Sequence, residues 1–95
     1  MAAYVIARIN VTQAEDYQTY ASQTVASAER AGGTFLVKGG PQTQIEGNSP
    51  DRHVIIQFEN RQAALDWYNS PEYQRILPIA ISSSERDIVV VDGFQ

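Results

Sequence analysis

The chain has 95 residues and a net charge of −4 at pH 7, and it contains no cysteine. Disulfides, thiolate metal sites and cysteine nucleophiles are therefore excluded, and the scattered Lys and Arg residues offer no basic stripe to a nucleic acid. Hydrophobic residues make up 43% of the chain and charged residues 19%, which is typical of a globular protein rather than a disordered or membrane protein.

The first apolar run, over residues 2–9, is too short for a signal peptide and is interrupted by Arg8. The sequence also has no stretch long enough to span a bilayer. We therefore expect a cytoplasmic protein with no membrane partner. At this length we expect a single domain over residues 1–95.

Residues 4–9 are rich in β-branched and apolar side chains and predict a first strand. Thr12 then predicts the start of a helix, because a Thr-x-x-Glu capping box with Glu15 satisfies two unpaired amides. Gly32 predicts its end, since glycine accepts the left-handed conformation found there. Between these ends one stripe recurs at intervals of three and four: Tyr17, Tyr20, Ala21, Thr24, Val25 and Ala28.

The middle of the chain predicts a hairpin. Residues 34–38 read as a second strand, which Gly39 and Gly40 interrupt before an extended pattern resumes over residues 42–45. Residues 47–51 are dense in turn formers, and residues 53–58 are the most strand-like run in the chain. We therefore expect strands two and three to pair with each other.

The last third of the chain predicts a second helical region and a final strand. Asn60 is expected to cap a helix, and Ser70 with Pro71 is expected to start a further turn that Pro78 limits. The polar residues 82–86 are interpreted as a loop. Residues 87–91 predict the fourth strand.

The order strand, helix, strand, strand, helix, strand indicates an α+β fold of the ferredoxin-like βαββαβ kind. Its four-stranded antiparallel sheet carries both helices on one face. Alternation leaves the helix-free face with apolar side chains that include Tyr4, Ile6 and Ile55, and soluble monomers rarely expose such a patch. We therefore predict a homodimer in which a second copy covers this face. The side chains expected to face the helices are Val5, Ala7, Ile9, Val54, Ile56 and Phe58.

Four segments carry a resemblance to a known family. They are residues 3–9 (Ala-Tyr-Val-Ile-Ala-Arg-Ile), 32–40 (Gly-Gly-Thr-Phe-Leu-Val-Lys-Gly-Gly), 67–74 (Trp-Tyr-Asn-Ser-Pro-Glu-Tyr-Gln) and 89–93 (Val-Val-Val-Asp-Gly). In this order they resemble the bacterial domain of unknown function 1330 family. The resemblance implies a dimeric α/β barrel, a superfamily that includes cofactor-independent monooxygenases, small isomerases and haem enzymes. It implies no particular reaction.

His53 is the one histidine of the chain, and so the one side chain that ordinarily titrates near neutral pH. It is a weak candidate for a catalytic base or a haem ligand. We favour a structural interpretation, in which it starts a strand and forms a hydrogen bond near the turn or at an interface. A lone histidine with dispersed carboxylates supplies no metal site, and neither a metal nor a cofactor is predicted.

Polar side chains of the strands are candidates for binding an anionic ligand: Arg8, Asn10, Lys38 and Gln57. They meet at one end of the sheet if strands one and three run parallel and if Lys38 shares the face of the others. The alternative, which we favour, is that they form salt bridges at the interface or its rim.

Trp67 and Tyr73 are candidates for the wall of a pocket, although aromatic residues at helical spacing more often belong to the core. Two functional hypotheses remain open. The first is a small-molecule binding protein, or a cofactor-independent enzyme, with a cavity lined by Arg8, His53 or Gln57. The second is a non-catalytic structural or regulatory homodimer with no ligand cavity, and a cavity of a few hundred cubic ångströms separates the two.

Overall fold

Four strands and three helices follow one another along residues 1–94, the part of the chain that this computed structural model describes. The strands form an antiparallel sheet in the order β2-β3-β1-β4, which confirms the predicted ferredoxin-like arrangement. Two consecutive helices occupy the place of the second helix. The elements are β1 (Ala3–Val11), α1 (Ala14–Arg30), β2 (Thr34–Lys38), β3 (Arg52–Phe58), α2 (Arg61–Tyr68), α3 (Pro71–Ser83) and β4 (Ser84–Asp92).

The inner face of the sheet is the side that packs against the helices, and it contains the core. Its apolar residues in β1 are at most 5% exposed, and Phe58 of β3 lies against Trp67 of α2 with ring centroids 5.6 Å apart. Gly33 permits this packing, because a Cβ there would lie 2.8 Å from the Phe58 ring. The inner face consists of Val5, Ala7, Ile9, Phe35, Lys38, Arg52, Val54, Ile56, Phe58, Arg86, Ile88 and Val90.

The outer face of the sheet is the opposite side, and no helix of residues 1–94 covers it. One end of this face is apolar, and it includes Val89 at 50% exposure and Val91 at 41%. The other end is polar, with Arg8 directly opposite Asp87 of β4. The outer face consists of Tyr4, Ile6, Arg8, Asn10, Thr34, Val37, His53, Ile55, Gln57, Glu85, Asp87, Val89 and Val91.

The start of α1 differs from the prediction. The helix begins at Ala14 with Gln13 as its N-cap, and no side chain caps it. The Thr12 amide instead donates to the carbonyl oxygen of Ser83 at 2.9 Å, because β1 continues to Val11 and pairs with the start of β4. The predicted capping box is therefore wrong, whereas the predicted stripe on α1 is half-buried or buried throughout.

The predicted continuation of strand two is also wrong. The chain leaves the sheet after Lys38, and residues 39–51 form a loop rather than a strand over 42–45. One side-chain hydrogen bond closes this loop on itself, from the Gln42 side-chain amide to the Pro50 carbonyl at 3.0 Å, and another ties it to β1, from the Asp51 backbone amide to Asn10 Oδ1 at 3.1 Å. A polar loop can satisfy its backbone in this way without a sheet partner.

Helix α3 runs past Pro78 and includes Ser82 and Ser83, which were interpreted as a loop. The hydroxyls of Ser83 and Ser84 donate to the Ile79 and Ala80 carbonyls at 2.5 and 2.6 Å. Both bonds run from a serine hydroxyl to the carbonyl four residues earlier, and β4 begins directly at Ser84, so the predicted loop over residues 82–86 is wrong. The predicted caps are confirmed: the Ala63 and Tyr73 amides donate to the side chains of Asn60 and Ser70. No helix within residues 1–94 is long and apolar enough to cross a membrane.

Candidate functional site

A cavity of about 260 Å³ lies between the inner face of the sheet and α1. Inner-face side chains form its floor, one side of α1 forms its roof, and Trp67 and Tyr73 close one wall. Gln18, Ser22 and Lys38 are lining residues that are exposed to solvent, so they mark its mouth. The volume is just below that of typical small-molecule sites, which start at about 300 Å³.

The register of the sheet gives the cavity a charged end and an apolar end. At the charged end, Ile9 lies between Arg52 of β3 and Arg86 of β4, its direct partners on either side. Four residues earlier in β1, Val5 is opposite Ile56, which in turn pairs with Phe35 of β2. Because side chains alternate along a strand, all of these point to the same face. A ligand with one polar end and one apolar end matches this floor.

Arg86 forms a buried group with Tyr20 and Tyr73, which we call the Tyr–Arg cluster. The two guanidinium nitrogens Nη1 and Nη2 donate to the Tyr20 and Tyr73 hydroxyl oxygens, each at 3.0 Å, and the hydroxyl oxygens lie 2.6 Å apart. Burial, followed by the neighbouring Tyr20, raises the pKa of Tyr73, although Arg86 acts in the opposite direction. Burial alone lowers the pKa of Arg86, but the two tyrosine oxygens more than offset this and raise it. At neutral pH the Tyr73 hydroxyl therefore keeps its proton beside the positive charge of Arg86.

Arg52 occupies the same end of the cavity without a comparable partner. Its Nε is buried and has no hydrogen-bond partner among residues 1–94, and its guanidinium carbon lies 6.0 Å from the Tyr17 ring centroid. The guanidinium packs against Gly39, where a Cβ would lie 2.3 Å from Nη1. Buried polar groups are normally paired, so the charge of Arg52 is less well compensated than that of Arg86.

The cavity is basic although the chain as a whole is acidic. Lys38, Arg52 and Arg86 line it, and its lining includes no Asp, Glu or His. The ion pairs found within residues 1–94, Arg30 with Glu72 and Arg61 with Asp92, lie elsewhere. No group of His, Cys, Asp and Glu in the same residues is suited to hold a metal ion. The lining is thus suited to an anion.

Three of the predicted site residues line the cavity, namely Lys38, Trp67 and Tyr73. Trp67 and Tyr73 are 3% and 0% exposed, and Trp67 Nε1 donates to the Ser27 hydroxyl at 3.2 Å. They belong to the core and to the cavity wall at once. Lys38 lies on the inner face, with its Nζ 5.6 Å from the Phe35 ring centroid.

The other four predicted site residues lie on the outer face, away from the cavity, and the structure brings Arg8 next to His53 but leaves Gln57 apart from them. Strands β1 and β3 are antiparallel, so Arg8 pairs with His53 while Gln57 pairs with Tyr4, further along the sheet. The two conditions on which the proposed grouping depended, parallel strands and a shared face for Lys38, are therefore not met. Asn10 anchors the loop of residues 39–51.

His53 forms a hydrogen bond between its Nδ1 and Oε1 of Gln42, 2.7 Å apart. This is the bond near the turn that the structural interpretation predicted.

Four residues of the site were not predicted from the sequence. Tyr17 and Tyr20 were placed in the helical stripe as core, Arg86 was assigned to a loop, and Arg52 fell between the predicted turn and the third strand and was assigned to neither. A usable signal was present, because Arg52 and Arg86 each precede an inward-facing apolar residue by two positions and so share its face. An arginine in the inward position of a strand is unusual enough to indicate a site.

The fold and the cavity define a ferredoxin-like α+β protein with a small basic site between sheet and helix. The chain belongs to the family named Domain of unknown function (DUF1330), whose model matches residues 2–94. No protein among the curated sequences matches the chain.

Solved structures with the same fold include proteins of unknown function and an oxygenase. A protein of unknown function from Rhodopseudomonas palustris is 14% identical with a TM-score of 0.79, and the match covers 99% of this chain and 83% of that one. A dimeric ferredoxin-like protein of unknown function from Jannaschia sp. is 12% identical (TM-score 0.73; 98% and 100% covered). SnoaB, a cofactor-independent oxygenase from Streptomyces nogalater, is 11% identical (TM-score 0.65; 99% and 94% covered). At these identities the likeness concerns the fold alone.

Proposed function

We propose that the protein binds a small organic anion with an apolar or aromatic body in the cavity between sheet and α1. The observation that carries the proposal is the pair of inward-facing arginines, Arg52 and Arg86, which have no carboxylate partner among residues 1–94. A charge withdrawn from water is unfavourable unless an opposite charge compensates it. A bound anion supplies that charge, and the apolar part of the ligand packs against the apolar side chains of the cavity floor.

A more specific version of this proposal is that the protein catalyses a reaction on the bound molecule without a cofactor. The described lining offers no carboxylate and no imidazole, and hence no base that ordinarily titrates near neutral pH. A reaction in this cavity therefore depends on stabilising negative charge on the bound molecule. The fold shared with SnoaB is compatible with such chemistry, but it does not carry the argument, and binding is the activity we propose to test.

The test is thermal unfolding with benzoate and with benzamide, its uncharged analogue. A ligand of the native state at about 100 times its Kd stabilises the protein by about 2.7 kcal/mol, which raises the Tm of a domain of this size by roughly 11–22 °C. We expect benzoate to raise the Tm and benzamide to have little effect. The replacement Arg52→Gln should reduce the benzoate shift to the level seen with benzamide, while Arg75→Gln, at an exposed arginine outside the cavity, should preserve it.

Equal shifts for benzoate and benzamide would show that charge does not direct binding. No shift with benzoate or with larger aromatic and aliphatic carboxylates would refute the proposal as a whole.

We propose further that the protein acts as a homodimer whose second copy covers the apolar end of the outer face. Val89 and Val91 are 50% and 41% exposed there, next to the half-buried Tyr4, Ile6 and Ile55. The neighbour of the same fold from Jannaschia sp. is dimeric, which supports the dimer but not the choice of face. Soluble monomers seldom leave such a patch in water.

Sedimentation velocity tests the dimer directly. We expect wild type to sediment as a dimer at micromolar concentration and Val89→Asp to sediment as a monomer. Ile81→Asp is the matched control, because Ile81 is 65% exposed but lies on α3. A monomeric wild type, or equal effects of the two substitutions, contradicts this assignment.

A further inference from the structure

We infer that the ligand carries two oxygen functions: a carboxylate or similar acidic group held by Arg52, and a hydroxyl or carbonyl oxygen held by the Tyr–Arg cluster. This inference rests on the proposed function, since it assigns the two polar contacts of the same ligand. It follows from the difference between the two arginines, which share one end of the cavity but have different partners.

The guanidinium of Arg86 is already engaged on both terminal nitrogens by Tyr20 and Tyr73. An arginine recognises a carboxylate through two parallel hydrogen bonds from free guanidinium nitrogens. In Arg86 both terminal nitrogens already donate to the two hydroxyls. Arg86 is therefore a positioning residue that orients the hydroxyls, and the group offered to a ligand is a phenol.

A count of protons identifies what the cluster can donate. Each hydroxyl oxygen accepts a hydrogen bond from Arg86, and one of the two hydroxyl protons is shared across the 2.6 Å contact between the oxygens. Each tyrosine hydroxyl has one proton, so one proton of the pair remains uncommitted within residues 1–94. Tyr20 and Tyr73 both line the cavity, and that proton suits an oxygen acceptor on the ligand.

Arg52, in contrast, has its full charge available. No carboxylate of residues 1–94 pairs with it, and its Nε is buried without an acceptor. A planar, permanently charged guanidinium in this state is the group best suited to an acidic oxygen function.

The spacing between the two contacts sets the size of the ligand. Arg52 and Arg86 belong to strands on either side of β1, so their backbones are two strand spacings apart, about 10 Å. Each guanidinium lies near one tyrosine ring of α1, Arg52 near Tyr17 and Arg86 near Tyr20, and on the floor of the cavity the interval of about 10 Å separates the two arginines. A single ring that bears an acid and a hydroxyl fits both this interval and a cavity of about 260 Å³. The predicted ligand class is thus a hydroxyaryl or oxo carboxylic acid.

The experiment is a set of calorimetric titrations with benzoate, 3-hydroxybenzoate and 4-hydroxybenzoate, and with the methylbenzoates of matched size. In wild type we expect at least one hydroxybenzoate to bind about five-fold more tightly than its methyl analogue, the gain typical of one added hydrogen bond. Tyr20→Phe and Tyr73→Phe should each keep most of this preference, because the remaining hydroxyl then has its proton free. The double variant should lose the preference while it still binds benzoate.

Arg52→Gln provides the second arm of the experiment. It should remove the preference for benzoate over benzamide and leave the preference for hydroxyl over methyl intact. This arm decides the inference even if the double tyrosine variant does not fold. The folded state of every variant is checked by urea unfolding before titration.

The outcomes separate this inference from the proposed function. If benzoate binds but no hydroxyl group adds affinity, or if the added affinity survives in the double variant, the two-contact inference is wrong and the proposed function stands. If no carboxylate binds at all, the proposed function fails and the inference fails with it.

Discussion

The inner and outer faces of the sheet both carry arginines, but in opposite circumstances. On the outer face, Arg8 is exposed and lies directly opposite Asp87, while Asn10 lies opposite Glu85. On the inner face, Arg52 and Arg86 are withdrawn from solvent and meet tyrosines instead of carboxylates. A charge at the surface costs little, and Arg8 has a carboxylate opposite it in the sheet, whereas the half-buried inner arginines have no carboxylate partner among residues 1–94. The difference supports the proposal that the inner arginines serve binding rather than stability.

The largest effect is expected from comparing two adjacent residues of β3. Ile56 is 2% exposed on the inner face, and Ile55 is half-buried on the outer face. We expect Ile56→Ala to lower the free energy of unfolding by about 2–5 kcal/mol at any protein concentration. Ile55→Ala should cost less in dilute solution and more as concentration rises, because its partner atoms come from the second copy. Urea unfolding at two concentrations measures both, and identical behaviour of the two variants would contradict the assignment of the faces.

The next effect concerns Arg86, whose replacement separates binding from stability. We expect Arg86→Met to lower the affinity for a hydroxybenzoate at least ten-fold, equivalent to about 1.4 kcal/mol. The unliganded variant should be about as stable as wild type, because the loss of the hydrogen bonds to Tyr20 and Tyr73 is offset by the removal of a half-buried charge that has no carboxylate partner. Calorimetry and urea unfolding measure the two quantities. A large loss of stability without ligand would mean that Arg86 mainly holds the fold together.

A smaller effect is expected from the pH dependence of stability. Burial raises the pKa of Tyr73 in the folded state, so the unfolded chain releases this proton first. The contribution of Tyr73 to stability is complete below about pH 10 and is lost as the pH rises above that value. Tyr73→Phe removes this loss. The stability difference between wild type and variant at pH 7 should therefore shift in favour of the variant by about 1 kcal/mol near pH 10.5. A constant difference across this range would show that Tyr73 does not keep its proton more tightly in the folded state.

The smallest effect is expected from the outer-face residues that the sequence suggested as ligand contacts. Arg8→Gln and His53→Gln should leave the affinity for benzoate unchanged within about two-fold, a difference of roughly 0.4 kcal/mol, because these residues lie across the sheet from the cavity. Calorimetry under the same conditions as for Arg52→Gln provides the comparison. A ten-fold loss for either variant would place a second ligand contact on the outer face.

The candidate site could be predicted from the sequence only in part. Trp67 and Tyr73 were named because large aromatic side chains at helical spacing stand out in a sequence. Arg52 and Arg86 were missed because each lies next to a polar segment, and local composition assigns such residues to turns. Their partners are distant along the chain, since residues 20, 73 and 86 form one cluster only after the fold is complete.

The sequence itself determined three local features: the alternation of side chains along each strand, the residues that cap the helices, and the residues that form turns. They predicted the four strands, the caps at Asn60 and Ser70, and the inward side of β1 and β3, because each depends on neighbours within a few residues. The face that holds a cavity, and the charge at its end, were decided by the tertiary structure alone. They depend on the register that places Ile9 between two arginines from distant strands, and on a gap that α1 leaves above the sheet. No local pattern contains that information, because register and helix docking are set by packing across the whole chain.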